Sequence, residues 1–285
     1  IIQNNQRFHN FVVNGIEVQY RKDGRIKDDI LNLFYEDPKK NDFLVVNQFT
    51  IIEGKHRRIP DIVIFVNGLP LAVIELKNAT DENATIWNAY NQLQTYMDQI
   101  PTIFDYNELL IISDGTEARA GTITSPEEWF LSWKSVDGKK VVPKSVPQLR
   151  TLLQGMFKKQ RLLDIIKSFI VFSTERKTVR KILAGYHQYF ATKKAVKSTI
   201  EATGGDRKAG VVWHTQGSGK SLTMLFYAGK LVLNEKLENP TIVLITDRND
   251  LDDQLFNTFS SGKQLLRQTP VQAEDKKDLK EKLKV

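Results

Sequence analysis

RIPDIVIFVNGLPLAVIELK, residues Arg58 to Lys77, places two carboxylates and one amine on a pair of apolar runs. The runs Ile62–Val66 and Leu69–Leu76 flank Asn67-Gly68, and Asn-Gly between such runs is the strongest short-range signal for a hairpin. Asp61 heads the first strand. Glu75 and Lys77, two residues apart, fall on one face of the second. Runs this apolar belong in a core, where a charge is costly unless something pairs with it, and a metal ion would supply that pairing. A strict two-residue hairpin pairs Val66 with Leu69, sets Asp61 opposite Ile74 and turns Glu75 to the other face. Bringing Asp61 opposite Glu75 requires a three-residue loop or a bulge. Pro70, with no N–H to donate, is where such an irregularity fits. The alternative is a buried hairpin in which Asp61 caps a strand and Glu75 and Lys77 form an exposed ion pair.

The spacing Pro60-Asp61, thirteen residues, then Glu75-Leu76-Lys77 resembles the PD-(D/E)xK nuclease motif. The resemblance implies Mg²⁺ held by Asp61, Glu75 and the backbone carbonyl of Leu76, the hard oxygen ligands that ion takes. Lys77 then orients the attacking water or stabilises charge growing on the phosphorane. Asp81 to Ile100 reads as a helix, with Ile86, Tyr90, Leu93, Met97 and Ile100 at helical spacing and Pro101 ending it. On its flank Gln92 and Tyr96 lie four apart. A Q-x-x-x-Y pair one helix after the E-x-K strand resembles the RecB-like branch of these nucleases, which implies that both residues border the active site. Ordinary helix packing is the other reading of that pair.

Upstream, Phe11 to Tyr20 (FVVNGIEVQY) is a second hairpin candidate turning at Asn14-Gly15, Glu36 to Asp42 is a polar loop, and Phe43 to Ile52 alternates as a strand. The order NDFLVVNQFT, then RRIPDIVIFVNGLPLAVIELKN, is similar to the N-terminal nuclease region of the restriction subunit of type I restriction-modification enzymes, over roughly residues 11 to 100. Downstream, Leu109 to Ser113 reads as a buried strand and Asp114-Gly115 as a turn. Trp129 and Trp133 suit packing on the sheet edge or base stacking. Residues 134 to 150 read as a solvated loop whose lysines could track a DNA backbone. Leu149 to Val171 reads as one or two amphipathic helices, with a domain boundary near residue 168.

Gly210 to Ser221, GVVWHTQGSGKS, is the second informative stretch. A β-rich run, Val211 to Trp213, enters a glycine-rich loop, and an apolar helix, Leu222 to Leu233, follows, which is the context a P-loop requires. The turn Gln216-Gly217-Ser218-Gly219 aims backbone N–H groups at phosphates, Lys220 reaches the β and γ phosphates, and Ser221 holds Mg²⁺. His214 stands where the usual first glycine would be. The run His-Thr-Gln-Gly-Ser-Gly-Lys-Ser resembles the superfamily 2 motor of type I restriction enzymes. That resemblance implies an adenine-reading glutamine about thirty residues upstream, for which Gln188 is the candidate against simple helix packing. It also implies a DNA-phosphate contact after the next strand, Thr241 to Ile245, for which Arg248 is the candidate. Asp250, Asp252 and Asp253 read as the start of a helix rather than metal ligands.

The chain has 285 residues, 41 Lys and Arg against 34 Asp and Glu, and a net charge of +7. Its length allows two domains and its mild basic excess suits a polyanionic partner. Without cysteine it has no disulfide or thiolate metal site, and four histidines (His9, His56, His187, His214) argue against a zinc enzyme. No run approaches a membrane span and no signal-peptide pattern is visible, so the expectation is a cytoplasmic protein. The chain starts at Ile1, and no apolar strand ending in Asp-Glu, the Walker B signature, follows Ser221. The expectation is therefore an N-terminal fragment lacking ATP hydrolysis of its own.

The expected fold is α/β. It comprises a PD-(D/E)xK, RecB-like nuclease domain with connecting helices over residues 1–168, and the start of a P-loop, RecA-like superfamily 2 lobe over 169–285. The type I resemblance implies an ATP-dependent, Mg²⁺-dependent endonuclease and translocase subunit that cuts unmethylated double-stranded DNA remote from the recognition site. It implies methyltransferase and specificity subunits as partners. The alternatives are a helicase-nuclease of DNA repair or recombination, and a nucleotide-dependent DNA-binding module with an inactive nuclease.

Overall fold

The computed structural model describes residues 1–78, 85–175 and 178–284 of a mixed α/β chain. It opens with α1 (Ile2–Asn14), whose buried Asn5, Phe8, His9, Val12 and Val13 recur at helical spacing. Gly15, at φ 78°, ends this helix and donates its N–H to Phe11 O. The hairpin expected over Phe11 to Tyr20 is thus corrected. Asn14-Gly15 closes a helix, and the chain reverses at Asp23-Gly24, joining β1 (Ile16–Lys22) to β2 (Arg25–Leu31). Glycine supplies the left-handed backbone that both a helix end and a tight turn need, so the dipeptide alone does not separate them.

The strand expected over Phe43 to Ile52 breaks at Gln48, at φ 50°, into β3 (Phe43–Asn47) and β4 (Ile51–Glu53). The latter pairs with β5 (His56–Arg58) in a small separate hairpin. Next come β6 (Ile62–Val66) and β7 (Leu69–Leu76), then α2 (Ile86–Gln99), β8 (Leu109–Ser113) and β9 (Ala118–Gly121). The start expected for α2 at Asp81 lies outside the described residues. A five-stranded sheet runs in the order β3-β6-β7-β8-β9, antiparallel except for the pair β7 and β8, between which α2 is the crossover. Val63, Val73, Leu110 and Ile112 pack on α2 through Ile86, Ala89 and Leu93. The opposite face, with Ile64, Ala72, Ile74 and Ile111, meets α1 and the pair α3 (Gln148–Met156) and α4 (Lys159–Ser168). Burial on both faces is why β7 and β8 read as continuous apolar runs.

A hairpin of β10 (Ile170–Glu175) and β11 (Thr178–Leu183) follows, and one buried cation ties it to the start of the chain. Lys181 Nζ lies 2.6 Å from the Glu108 carboxylate and donates to Asn5 Oδ1 and the Asn107 carbonyl at 2.9 and 2.8 Å. His9 Nδ1 sits 3.0 Å from the same carboxylate, and the side chains of His9, Glu108 and Lys181 are all fully buried. Burial acts to raise the Glu108 carboxyl, but His9 and Lys181 outweigh it and hold the group below the usual carboxylate range.

The remaining helices are α5 (Tyr186–Thr203), α6 (Lys220–Val232), α7 (Asn249–Ser261), α8 (Lys263–Leu266) and α9 (Lys276–Lys282). Neither Val211 to Trp213 nor Thr241 to Ile245 is a strand, which corrects the expected sheet of a RecA-like lobe. Val211 is 95% exposed and Ile245 85%. Both runs are apolar and β-branched, but a strand exists only where a neighbour takes its backbone hydrogen bonds, and among the described residues neither run has one.

Candidate functional site

The turn at Asn67-Gly68, with φ of 50° and 80°, is the two-residue kind, and Val66 pairs with Leu69. Phe65 pairs with Pro70, but Ile64 pairs with Ala72, so Leu71 is an extra residue immediately after the proline. This bulge restores the register from Ile62↔Ile74 onward and brings Asp61 to the level of Glu75. Asp61 Oδ2 accepts the Leu76 N–H at 2.8 Å. Lys77 Nζ donates to Glu75 Oε1 at 3.1 Å and also to Gln92 Oε1. Gln92 Nε2 donates to the Tyr96 hydroxyl at 2.6 Å, and that hydroxyl donates to Ile59 O at 3.4 Å. Five side chains from β7, α2 and the entry to β6 thus form one connected group.

Its electrostatics suit a cation. Glu75 is 2% exposed, and among the described residues its Oε2 has no hydrogen-bond partner. Burial first, and the Asp61 charge second, push its carboxyl up from 4.5 to about 7. Tyr96 is pushed up to about 12, again chiefly by burial, and therefore donates as a neutral phenol. Two converging carboxylates, one with an orphaned oxygen, form a donor set that a hard divalent ion fits.

In the second half, α6 starts at the glycine-rich loop, with Gly217 and Gly219 at φ 78° and 75°. Lys220 Nζ donates to the carbonyls of His214 and Thr215, at 3.3 and 3.1 Å, and Ser218 Oγ to Thr215 O at 2.7 Å. Gln188 is buried, with its amide occupied by Gly219 O at 3.0 Å and by the Gly185 N–H at 2.8 Å. His187 Nε2 lies 3.0 Å from Ser218 O, a contact the sequence analysis did not single out although His187 adjoins Gln188. A cavity of about 990 Å³ opens beside the loop, with Tyr186, Trp213, Lys220 and Tyr227 among its walls. Arg248, just before α7, holds Asp250 in an exposed ion pair, and Asp250 and Asp252 lie in the first turn of α7.

A family described as type I restriction enzyme R protein N terminus matches residues 1–129, and SWI2/SNF2 ATPase matches residues 187–285. The chain is 48% identical, over 99% of its length, to the type I restriction enzyme HindI endonuclease subunit of Haemophilus influenzae. By its first 129 residues, the chain belongs to the type I restriction enzyme R protein family. Within that family it is also 38% identical, over 89% of its length, to the putative MjaIXP endonuclease subunit of Methanocaldococcus jannaschii. A Staphylococcus aureus endonuclease subunit, SauCOLORF180P, matches at 28% over 78%. The chain spans 28%, 26% and 23% of these three relatives, about a quarter of their length. No helix among the described residues of this R protein relative is long and apolar enough to cross a membrane.

Trp129 and Trp133 both have intramolecular partners. Trp133 is buried against Tyr186, Tyr189 and Phe190, and the Arg180 guanidinium lies over the Trp129 ring. The sequence analysis missed Ile59 O and Ser113 O, which accept from Tyr96 and from the Lys77 N–H. Backbone acceptors leave no residue-type signal. Only the register of β7 on β8 could have found Ser113.

Proposed function

We propose that this chain carries a PD-(D/E)xK endonuclease and the opening of an ATP-driven DNA translocase, within the restriction subunit of a type I restriction enzyme. The observation that carries the reading is the Leu71 bulge, which sets Asp61 beside Glu75, whose buried Oε2 has no hydrogen-bond partner among the described residues. Asp61, Glu75 and the Leu76 carbonyl would hold Mg²⁺, which supplies charge neutralisation at a bound phosphate. Lys77, steadied by Gln92, offers its ammonium to a non-bridging phosphate oxygen as charge develops there. Tyr96 holds Gln92 and Ile59 together and so fixes α2 against the strand that bears Asp61. Gly217 to Ser221 would receive the phosphates of ATP, with Lys220 exchanging its two carbonyl partners for phosphate oxygens. The substrate is unmethylated foreign double-stranded DNA cut away from the recognition site. Methyltransferase and specificity subunits supply recognition. The ties of the β10–β11 hairpin to α1 and Glu108 support assigning that hairpin to the nuclease part.

The test is cleavage of unmethylated circular DNA by the complete polypeptide with its methyltransferase and specificity partners, with Mg²⁺, with and without ATP. Lys77→Ala is expected to abolish cutting and leave ATP hydrolysis intact, whereas Lys220→Ala abolishes both. Cutting that survives Lys77→Ala rejects the nuclease site. Cutting without ATP, or unaffected by Lys220→Ala, identifies a nuclease uncoupled from a motor. Absence of Mg²⁺ binding at Asp61 and Glu75 identifies an inactive nuclease.

A further inference from the structure

The β4–β5 hairpin stands immediately before Asp61 and is held rigidly. Ile51 packs into the core beneath α2, and Glu53 accepts from the Thr102 hydroxyl at 2.7 Å and from its N–H at 3.2 Å. Arg58 Nε donates to Gln99 Oε1 at 2.5 Å. The hairpin's acid is therefore tied to the segment after α2, and its bases are left without acids. Lys55, His56, Arg57 and Arg58 are consecutive, and none makes an ion pair among the described residues. Lys55 and Arg57 are exposed. Arg58 is half-buried and makes its one hydrogen bond to protein through Nε, which leaves its two terminal nitrogens for a ligand.

The same helix spaces this hairpin from the carboxylate cluster. Gln92, Tyr96 and Gln99 lie at i, i+4 and i+7, on one face of α2, and take Lys77, Ile59 and Arg58 in turn. Seven residues of helix span about 10 Å. A separation of that size lies within the reach of one duplex backbone. Resting on the nuclease reading above, we propose that the β4–β5 hairpin is a backbone clamp: Lys55, Arg57 and Arg58 grip duplex phosphates beside the one bound at Asp61, Glu75 and Lys77. Phosphate contacts fix position without reading sequence, which suits cutting at places unrelated to a recognition site. Arg58 in particular offers a fork of N–H donors already oriented by Gln99, a geometry matched to two phosphate oxygens.

The experiment is single-turnover cleavage by the complete, assembled enzyme over a range of salt concentrations, with ATP hydrolysis measured alongside. Lys55→Gln/Arg57→Gln changes only exposed side chains, and Arg58→Gln is made separately. Both are expected to cut at least about tenfold more slowly near physiological salt, with ATP hydrolysis unchanged. With enzyme below saturation the cleavage rate follows DNA affinity, and each phosphate no longer neutralised flattens log affinity against log salt by about 0.9, so the double variant should be shallower by about 2. Lys55→Arg/Arg57→Lys is expected to restore both rate and slope. Wild-type rate and slope in both Gln variants, with Lys77→Ala inactive, overturns the clamp and leaves the nuclease reading intact. Normal cutting by Lys77→Ala overturns the nuclease reading itself. If Arg58→Gln lowers stability, the exposed double variant decides.

Discussion

Leu109–Ser113 and Thr241–Ile245 are five-residue apolar runs of closely similar composition, LLIIS and TIVLI, with opposite fates. The first is a strand with every residue buried, because β7 lies on one side of it and β9 on the other. The second has no strand beside it among the described residues, and Val243, Leu244 and Ile245 are exposed. Side-chain preference is the same in both. Backbone hydrogen-bond partners and a covering helix make the difference, so the first half of the chain holds its charged cluster on a complete sheet, while the glycine-rich loop of the second half is supported by helices α5 and α6.

The comparison breaks most visibly at the buried cation. Lys181→Met leaves the Glu108 carboxylate buried with one of its two partners gone and is expected to cost about 3–5 kcal/mol, read as a fall in the urea midpoint. The two runs themselves come next. Ile111→Ala should cost about 2–5 kcal/mol and Ile245→Ala no more than about 0.5, and equal losses would mean that the second run is buried after all. A pH titration sharpens the account of Glu75. Its folded pKa lies above the unfolded one, so its contribution to stability is fully present below pH 4.5 and is lost as pH rises through about 7. Without divalent metal, stability should therefore fall across that window by at most about 3 kcal/mol. Glu75→Gln should remove that slope, and an unchanged slope would assign it to another group. Gln92→Ala, which frees Lys77, is expected to slow DNA cutting about tenfold with substrate affinity unchanged. A rise in KM alone would mean that Gln92 contacts DNA instead. The smallest effect separates the two loop glycines. Gly217→Ala meets open space and costs only the left-handed backbone, about 1–2 kcal/mol, whereas a Cβ at Gly219 would come 2.6 Å from Gln188 Nε2. Thermal unfolding should rank Gly219→Ala as the more damaging.

Much of the first half was legible in residue order. Two β-rich apolar runs flanking Asn67-Gly68 gave β6 and β7. The need to bring two carboxylates together demanded one extra residue near Pro70, and that residue is Leu71. Helical spacing gave α2 and the pair α3 and α4, and the glycine-rich loop gave the start of α6. The initial helix was misread because Asn14-Gly15 is as good a helix end as a hairpin turn. His9, Glu108 and Lys181 were invisible for a different reason. His9 and Glu108 stand 99 positions apart, and no local pattern marks a lysine whose acid comes from another element. Val211 to Trp213 and Thr241 to Ile245 carry strand-forming residues, but composition cannot report whether a neighbour is present.

The knot at Lys181 also governs how this polypeptide can be dissected. A cut near residue 168, where helix α4 ends, looks natural from the sequence, but it would remove the cation that the Glu108 carboxylate and the carbonyl of Asn107 share. The truncated piece would then have to hold that interior carboxylate on His9 alone or open its first helix to admit water. A cut just beyond Leu183 keeps that knot whole but strips the Asp164 carboxylate of Lys193, Lys230 and the Tyr189 hydroxyl, and Phe169 of Tyr189 and Phe226, so either cut leaves an interior carboxylate short of its partners.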